Sequence, residues 1–333
     1  LLAILIAVGG TVGGTAAVST ASASAAGLTG AGSTLVNPLM QNWINGFEIK
    51  EGIPVKYSSV GSGEGIKLIS NGSVDFGASD APMTPEQESK CSGCVTIPWA
   101  LSATALGFNV PGVKKLNLSG KVIAGIYFGK ITNWNDPKIA KLNPKAKLPN
   151  LAITPIYRSD GSGDTYAFTN YLSKISPAWR NEVGYATTVG WKAGVGAKGN
   201  AGVTSTVTKT PGAIGYISAS YLIAAGIHAA AVQNNAGAYE LPNLKNIEEA
   251  GTSVKLAANN TGSITNPPKK YKNAYPISTF TYAIVPHSAP QKTYLQQFLT
   301  YAITKGQAYG AALDFAPLPK SVVTAAKSAI SSL

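Results

Sequence analysis

Histidine, cysteine, arginine and methionine are almost missing from this chain of 333 residues, with two of each. The two histidines, His228 and His287, stand far apart in sequence, so there is no His-rich cluster for a catalytic metal and no obvious general base. Cys91 and Cys94 have no second cysteine pair to complete a zinc site. Charge is also scarce at 13% of residues, and none occurs before Glu48. There is no G-x-x-x-x-G-K-[ST] phosphate loop and no G-x-S-x-G nucleophile elbow. G-x-G-x-x-G occurs once, at Gly194 to Gly199, after no clear strand and with no acidic residue about 20 positions on, so a dinucleotide site is not expected. No solenoid-type repeat is present. These absences leave little for an enzyme to work with.

What the chain does have is apolar mass and turn formers. Hydrophobic residues make up 45% and glycine numbers 36, which suits a globular α/β protein with many tight turns rather than a disordered one. The length allows two domains. The 27 basic residues outnumber the 15 acidic, a net charge of +12. The lysines are scattered and no nucleic-acid motif accompanies them, so nucleic acid is not an expected partner. A positive field that steers an anionic solute to a cleft is the better use of the charge. Leu1 to Val8 is apolar and leads to the small-residue segment Ser19 to Ala26, which reads as a secretory signal over 1–26 whose basic n-region is missing here. Export places Cys91-Ser92-Gly93-Cys94 in an oxidising compartment, where a short-loop disulfide is the expected state.

Short apolar runs alternate with helical patterns, as in an α/β architecture. Strands are expected at 55–57, 74–77, 108–110 and 153–157, and helices at 36–47, 66–70, 122–128, 166–173 and 292–306. The segment 233–272 is rich in Asn, Ala, Gly and Lys and is expected to contain an exposed excursion. Asn259-Asn260-Thr261 within it has the pattern of a glycan acceptor.

Three Gly/Ser/Thr turns each precede a helical pattern: Thr29 to Thr34, Gly61-Ser62-Gly63-Glu64-Gly65 and Gly161-Ser162-Gly163-Asp164-Thr165. Glycine allows successive N–H groups to converge, and the first N–H groups of a helix have no partner inside it. With the helix dipole and hydroxyl donors they form an anion site without lysine, although each turn alone would also serve as a plain N-cap. Beside the third lies Arg158, one of only two arginines. Its guanidinium can hold an oxyanion through two parallel hydrogen bonds, and Asp160 is placed to orient it.

Gly30 to Thr34, Val74 to Pro82 and Arg158-Ser159-Asp160-Gly161-Ser162-Gly163 resemble the phosphate-binding proteins of phosphate ABC transporters, as do Gly129 to Trp134, Pro211 to Tyr216 and Leu318 to Val323. The resemblance spans roughly 28–330. It implies an extracytoplasmic, monomeric receptor, not an enzyme and without cofactor, that delivers inorganic phosphate to the permease of an ABC importer. The fold it implies is an α/β, two-lobed clam-shell of the periplasmic-binding-protein type II kind, with two crossover strands at the hinge, near 105–110 and 275–285. One lobe would comprise 27–106 and 278–333, the other 107–277. By matching positions, phosphate would be held by Thr34, the Leu35 amide, Ser62, Asp80, Arg158, Ser162 and the Gly163 amide. Asp164 departs from the family pattern, which has a hydroxyl residue there. Its carboxylate either accepts a second phosphate proton or turns aside to cap the helix. A surface adhesin on the same fold, or a phosphoryl-processing enzyme, are the other readings.

Overall fold

A computed structural model of the chain describes residues 27–91 and 93–333; the expected signal segment lies outside them. The strands that matter for the site are β1 (Leu28–Gly32), β2 (Val55–Ser59), β3 (Phe76–Ser79), β4 (Cys94–Phe108), β5 (Thr154–Arg158), β6 (Val195–Ala197), β7 (Ala213–Ser218) and β8 (Ser278–Pro286). They run side by side in the order β2-β1-β3-β8-β4-β7-β5-β6, with His228–Ala229 paired to β4 off this path. Pairing is parallel between β1 and its neighbours β2 and β3, and between β5 and its neighbours β6 and β7. It is antiparallel where β8 and β4 join the two halves.

β4 links the halves. Cys94 to Ala103 pair with β8, and Thr104 to Phe108 pair with β7, so one strand serves both groups. The register shifts where Tyr282 faces Pro98 and Thr281 faces Ala100, leaving Trp99 as the extra residue of a bulge. Pro98 cannot donate to the ladder, and a bulge is where a sheet tolerates that. Almost every β4 residue is buried, because both of its faces are covered.

Helices cover the sheet. α1 (Asn37–Glu51) buries Leu39, Met40, Trp43, Ile44 and Phe47, an apolar stripe of helical period, and ends at Gly52 with φ of 67°. α2 (Ser62–Ser70) follows β2, α3 (Gly120–Tyr127) buries Val122, Ile123 and Ile126, and α4 (Gly163–Ile175) follows β5. α5 (Gly199–Lys209) follows β6, and α6 (Lys292–Ile303) and α7 (Lys320–Ser332) pack on the C-terminal side. β6 lies inside the glycine stretch Gly194 to Gly199 and does not lead into it, and it is short and largely exposed.

The expected excursion at 233–272 is largely folded down. Residues Leu244–Gly251 form a helix that buries Ile247 and Ala250. Asn259 is exposed, and its side chain donates to Glu88 at 2.9 Å. Cys91 and Cys94 are joined by a disulfide at the start of β4. No helix of the described residues is long and apolar enough to cross a membrane.

Candidate anion-binding site

The Gly/Ser/Thr turns all lie at the carboxyl ends of strands, where the next helix begins. β1 runs out into Ser33, Thr34 and Leu35 ahead of α1; β3 ends one residue before Asp80; β5 ends at Arg158, and Ser162 caps α4. Ligands of open α/β sheets gather in this position. The N–H groups of Thr34 and Leu35 are given to no acceptor among the described residues.

The structure brings the candidate residues together across the two halves of the sheet. The Ser62 hydroxyl accepts from the Asp80 amide and from the Gly163 amide, each at 3.1 Å, and donates to Asp80 Oδ2 at 3.3 Å. Gly63 N–H donates to the Gly161 carbonyl at 3.0 Å. A Cβ on Gly163 would collide with the Asp80 carboxyl, and one on Gly61 with Asp160, so both turns need glycine for this close approach. At Gly61 the backbone φ of 96° adds a second reason.

Arg158 is the only cation in this group and is 3% exposed. Asp160 grips it side-on, accepting from Nε at 2.8 Å and Nη2 at 2.5 Å. Nη1 donates to Asp164 Oδ2 at 3.1 Å. Burial works against the Arg158 charge, but the hydrogen bonds it donates to Asp160 and the charges of both aspartates keep its pKa above the usual value. Burial would likewise raise Asp160, yet its bonds to Arg158 and the Gly199 amide bring it below the ordinary carboxylate range.

Asp164 does not cap the helix. The Ser162 hydroxyl takes that place, accepting from the Thr165 amide at 3.3 Å. The Asp164 carboxylate instead faces inward with no solvent exposure. It accepts from Thr104 at 2.7 Å and Asn200 at 2.7 Å, besides Arg158. A cap needs one oxygen at the first-turn amides; three inward donors bind it better. Burial raises its pKa, opposed by Arg158 and the donors. Asp80 is pushed up to about 7, by burial first and then by the charge of Asp164, against hydrogen bonds from Ser33 and Ser62. Ser33 donates to Asp80 Oδ1 at 2.5 Å.

Four contributors escaped the sequence reading: Ser33, Thr104, Asn200 and Tyr216. Asn200 is fully buried; its amide donates to Thr34 Oγ1 at 2.9 Å and to Asp164, and its carbonyl oxygen accepts from the Ser218 amide at 2.7 Å. Tyr216 receives the Arg158 amide at 2.8 Å and meets Thr165 at 2.8 Å. The set-aside glycine stretch does serve the site, since Gly199 N–H donates to Asp160 at 2.9 Å. Ser33 could have been found, lying inside a turn already singled out; nothing local marks Asn200 or Thr104. A cavity of about 320 Å³ lies against Asp80, lined by Tyr166, Lys255, Thr279 and Tyr282 among others. Among the described residues no cluster of three or more His, Cys, Asp or Glu could hold a metal.

A family profile described as the PBP superfamily domain matches residues 16–305, which sets the class. The phosphate-binding protein PstS of Haemophilus influenzae is 37% identical over 92% of this chain and 93% of its own length. That of Methanocaldococcus jannaschii is 34% identical over 83% and 78%. The chain belongs to this superfamily and, within it, to the family of the PstS phosphate-binding proteins. In fold it matches a high affinity periplasmic phosphate-binding protein solved with phosphate, at a TM-score of 0.73 and 23% identity over 91% of this chain and 93% of that one. A phosphate-binding protein from Stenotrophomonas maltophilia matches at a TM-score of 0.66 and 20% identity, over 91% and 93%.

Proposed function

We propose that this chain is an extracytoplasmic receptor that captures inorganic phosphate between two lobes and delivers it to the permease of an ABC importer. It acts as a monomer and performs no chemistry on its ligand. The observation that carries this is the meeting of the buried Arg158 and Asp80 with the buried helix N-termini at Thr34, Ser62 and Ser162. The relatives' name, phosphate-binding protein PstS, points the same way.

The lobes comprise 27–106 with 278–333, and 107–277. In support, β4 changes partner from β8 to β7 at Thr104, and Thr104 N–H donates to the Ile277 carbonyl at 3.0 Å where the chain returns. Opening at this seam exposes the donors and closing buries the anion. Thr34, the Leu35 amide, Ser62, Arg158, Ser162 and the Gly163 amide donate to phosphate; Asp80 accepts from a protonated phosphate oxygen. Sulfate carries no proton at neutral pH and would set a bare oxygen against Asp80. An unmade buried hydrogen bond of this kind costs a few kcal/mol, and sites built on one discriminate by ~10⁴-fold. Asp164 is a second acceptor beside Arg158, suited to a more protonated anion.

Calorimetric titration of the ligand-stripped protein tests this. Phosphate is expected to bind tightly at one site and sulfate to give no heat; equal binding of both would remove Asp80 as the filter, and no phosphate binding would refute the receptor.

A further inference from the structure

The net charge of +12 is concentrated. Residues 111–150 hold eight lysines, at 114, 115, 121, 130, 138, 141, 145 and 147, and one acid, Asp136; eight minus one gives +7 of the total. None of the eight takes part in an ion pair of the described residues. The largest cavity described, about 620 Å³, opens between two stretches of this segment and is lined by Lys114 and Lys115 on one bank and Lys145 and Lys147 on the other. All four are exposed and no acidic residue lines the groove.

The groove is built rather than incidental. Asn143 is 8% exposed and clamps the banks together: its carbonyl oxygen accepts from the Asn117 amide at 2.7 Å and its amide donates to the Asn117 carbonyl at 2.9 Å. A further bond from its amide to the Ile139 carbonyl ties it to the short helix Pro137–Ala140. Val113 and Leu116 are buried beneath. Four lysines therefore line the two banks of a preformed concavity with no acid among them, an arrangement whose like-charge repulsion an entering anion relieves.

We propose that this groove is a second anion site, separate from the Arg158 cleft, that takes a linear inorganic polyphosphate chain. Lysine supplies point charges without the planar geometry of arginine, which suits a flexible chain bearing a charge on every unit. The groove has no aromatic side chain on which a nucleic-acid base would stack. None of the exposed large apolar residues, Ile49, Tyr185, Val195, Ile223, Leu241 and Tyr309, lies in it, so it lacks the apolar contact by which a surface inserts into a bilayer.

The test uses the whole protein saturated with orthophosphate, so that the Arg158 cleft is filled and failure there is read separately. Long-chain polyphosphate is then titrated in. Binding is expected, with a log–log salt slope of about −3 for four lysines. The Lys114→Gln, Lys115→Gln, Lys145→Gln, Lys147→Gln variant is expected to lose at least ~100-fold in affinity and to keep its orthophosphate affinity. A charge-matched variant with Lys56, Lys209, Lys292 and Lys327 changed to Gln is expected to bind polyphosphate like the wild type. No binding at ~0.1 M salt, a level at which screening is still moderate, would overturn the proposal. So would equal losses in the two variants, or tighter binding of heparin or anionic vesicles through the same four lysines.

Discussion

In the proposed phosphate site the ligand chemistry turns on Asp164, and Asp164→Asn isolates it. The amide keeps the size of the carboxylate and can still accept from Thr104, while removing one negative charge beside the Arg158 guanidinium. An anion oxygen bound to Nη1, which now lies 3.1 Å from Asp164 Oδ2, would come within roughly 5 Å of that carboxylate; at an effective dielectric of about 20 the repulsion is ~3 kcal/mol. The wild type escapes it by taking up a proton, on Asp164, Asp80 or the phosphate itself. Binding that takes up a proton strengthens as pH falls, by up to about tenfold per pH unit for each proton. Burial has already raised both carboxyls, Asp80 to about 7, so the protons are available in the neutral range. Asp164→Asn should therefore bind phosphate up to ~100-fold more tightly at pH 8, with a shallower rise on going to pH 5. Calorimetry in two buffers of different ionisation enthalpy counts the protons directly. The same proton count and the same pH slope in the variant would refute the reasoning.

Asp80 also couples ligand-free stability to pH. Its folded pKa of about 7 lies above the unfolded value near 3.8, so its contribution is fully present below about pH 4 and is lost as pH rises through 7. The difference is on the order of a few kcal/mol; melts at pH 5 and pH 8 should show the wild type gaining at the lower pH and Asp80→Asn gaining much less, and parallel behaviour would exclude the effect. Gly163→Ala puts a methyl against the Asp80 carboxyl. It should cost the closed form about 1–3 kcal/mol, hence ten- to hundredfold in phosphate affinity by calorimetry, and an unchanged affinity would refute the need for glycine there. Asn200→Ala removes the amide shared by Thr34 and Asp164; a slower closing rate in stopped-flow fluorescence is expected, together with weaker binding.

Much of this site could be read from short-range pattern. Ser62, Ser162 and Gly163 stand in turns whose composition states their geometry, and Arg158 is conspicuous as one of two arginines. The helices around them carry their period openly, α1 through Leu39, Trp43 and Phe47. β4 was far less legible: the hinge crossing expected near 105–110 covers only its last four residues, Ala105 to Phe108. Its fifteen residues include a proline, and being buried on both faces they show no alternation. β3 was expected two residues early because Val74 and Asp75 look extended, whereas Asp75 turns to accept from the Thr29 amide at 2.7 Å. Asn200 and Thr104 were invisible for a different reason. Each reaches Asp164 only because distant segments converge, across 36 and 60 residues of chain.

The charge pattern outside the cleft and the one inside it run in opposite senses, and under the proposed function the contrast lets a basic protein be selective. Outside, an excess of lysine, densest in residues 111–150, raises the encounter rate with any anion. Inside, one buried guanidinium faces Asp160, Asp164 and Asp80, so the side chains alone do not favour a bare dianion. On the proposed assignment, what remains to hold an anion is backbone N–H from Thr34, Leu35 and Gly163, hydroxyl donors, and the positive ends of helices, all of which are directional. Attraction is thus left to lysines that do not choose, and choice is left to donors and acceptors that act only on an anion bearing its proton in the right place. Reversing the outer charge should slow association and leave the ratio of phosphate to sulfate affinity untouched, whereas altering Asp80 should do the opposite. That separation is what a receptor needs if it is to search a dilute, mixed pool of anions quickly and still retain one of them.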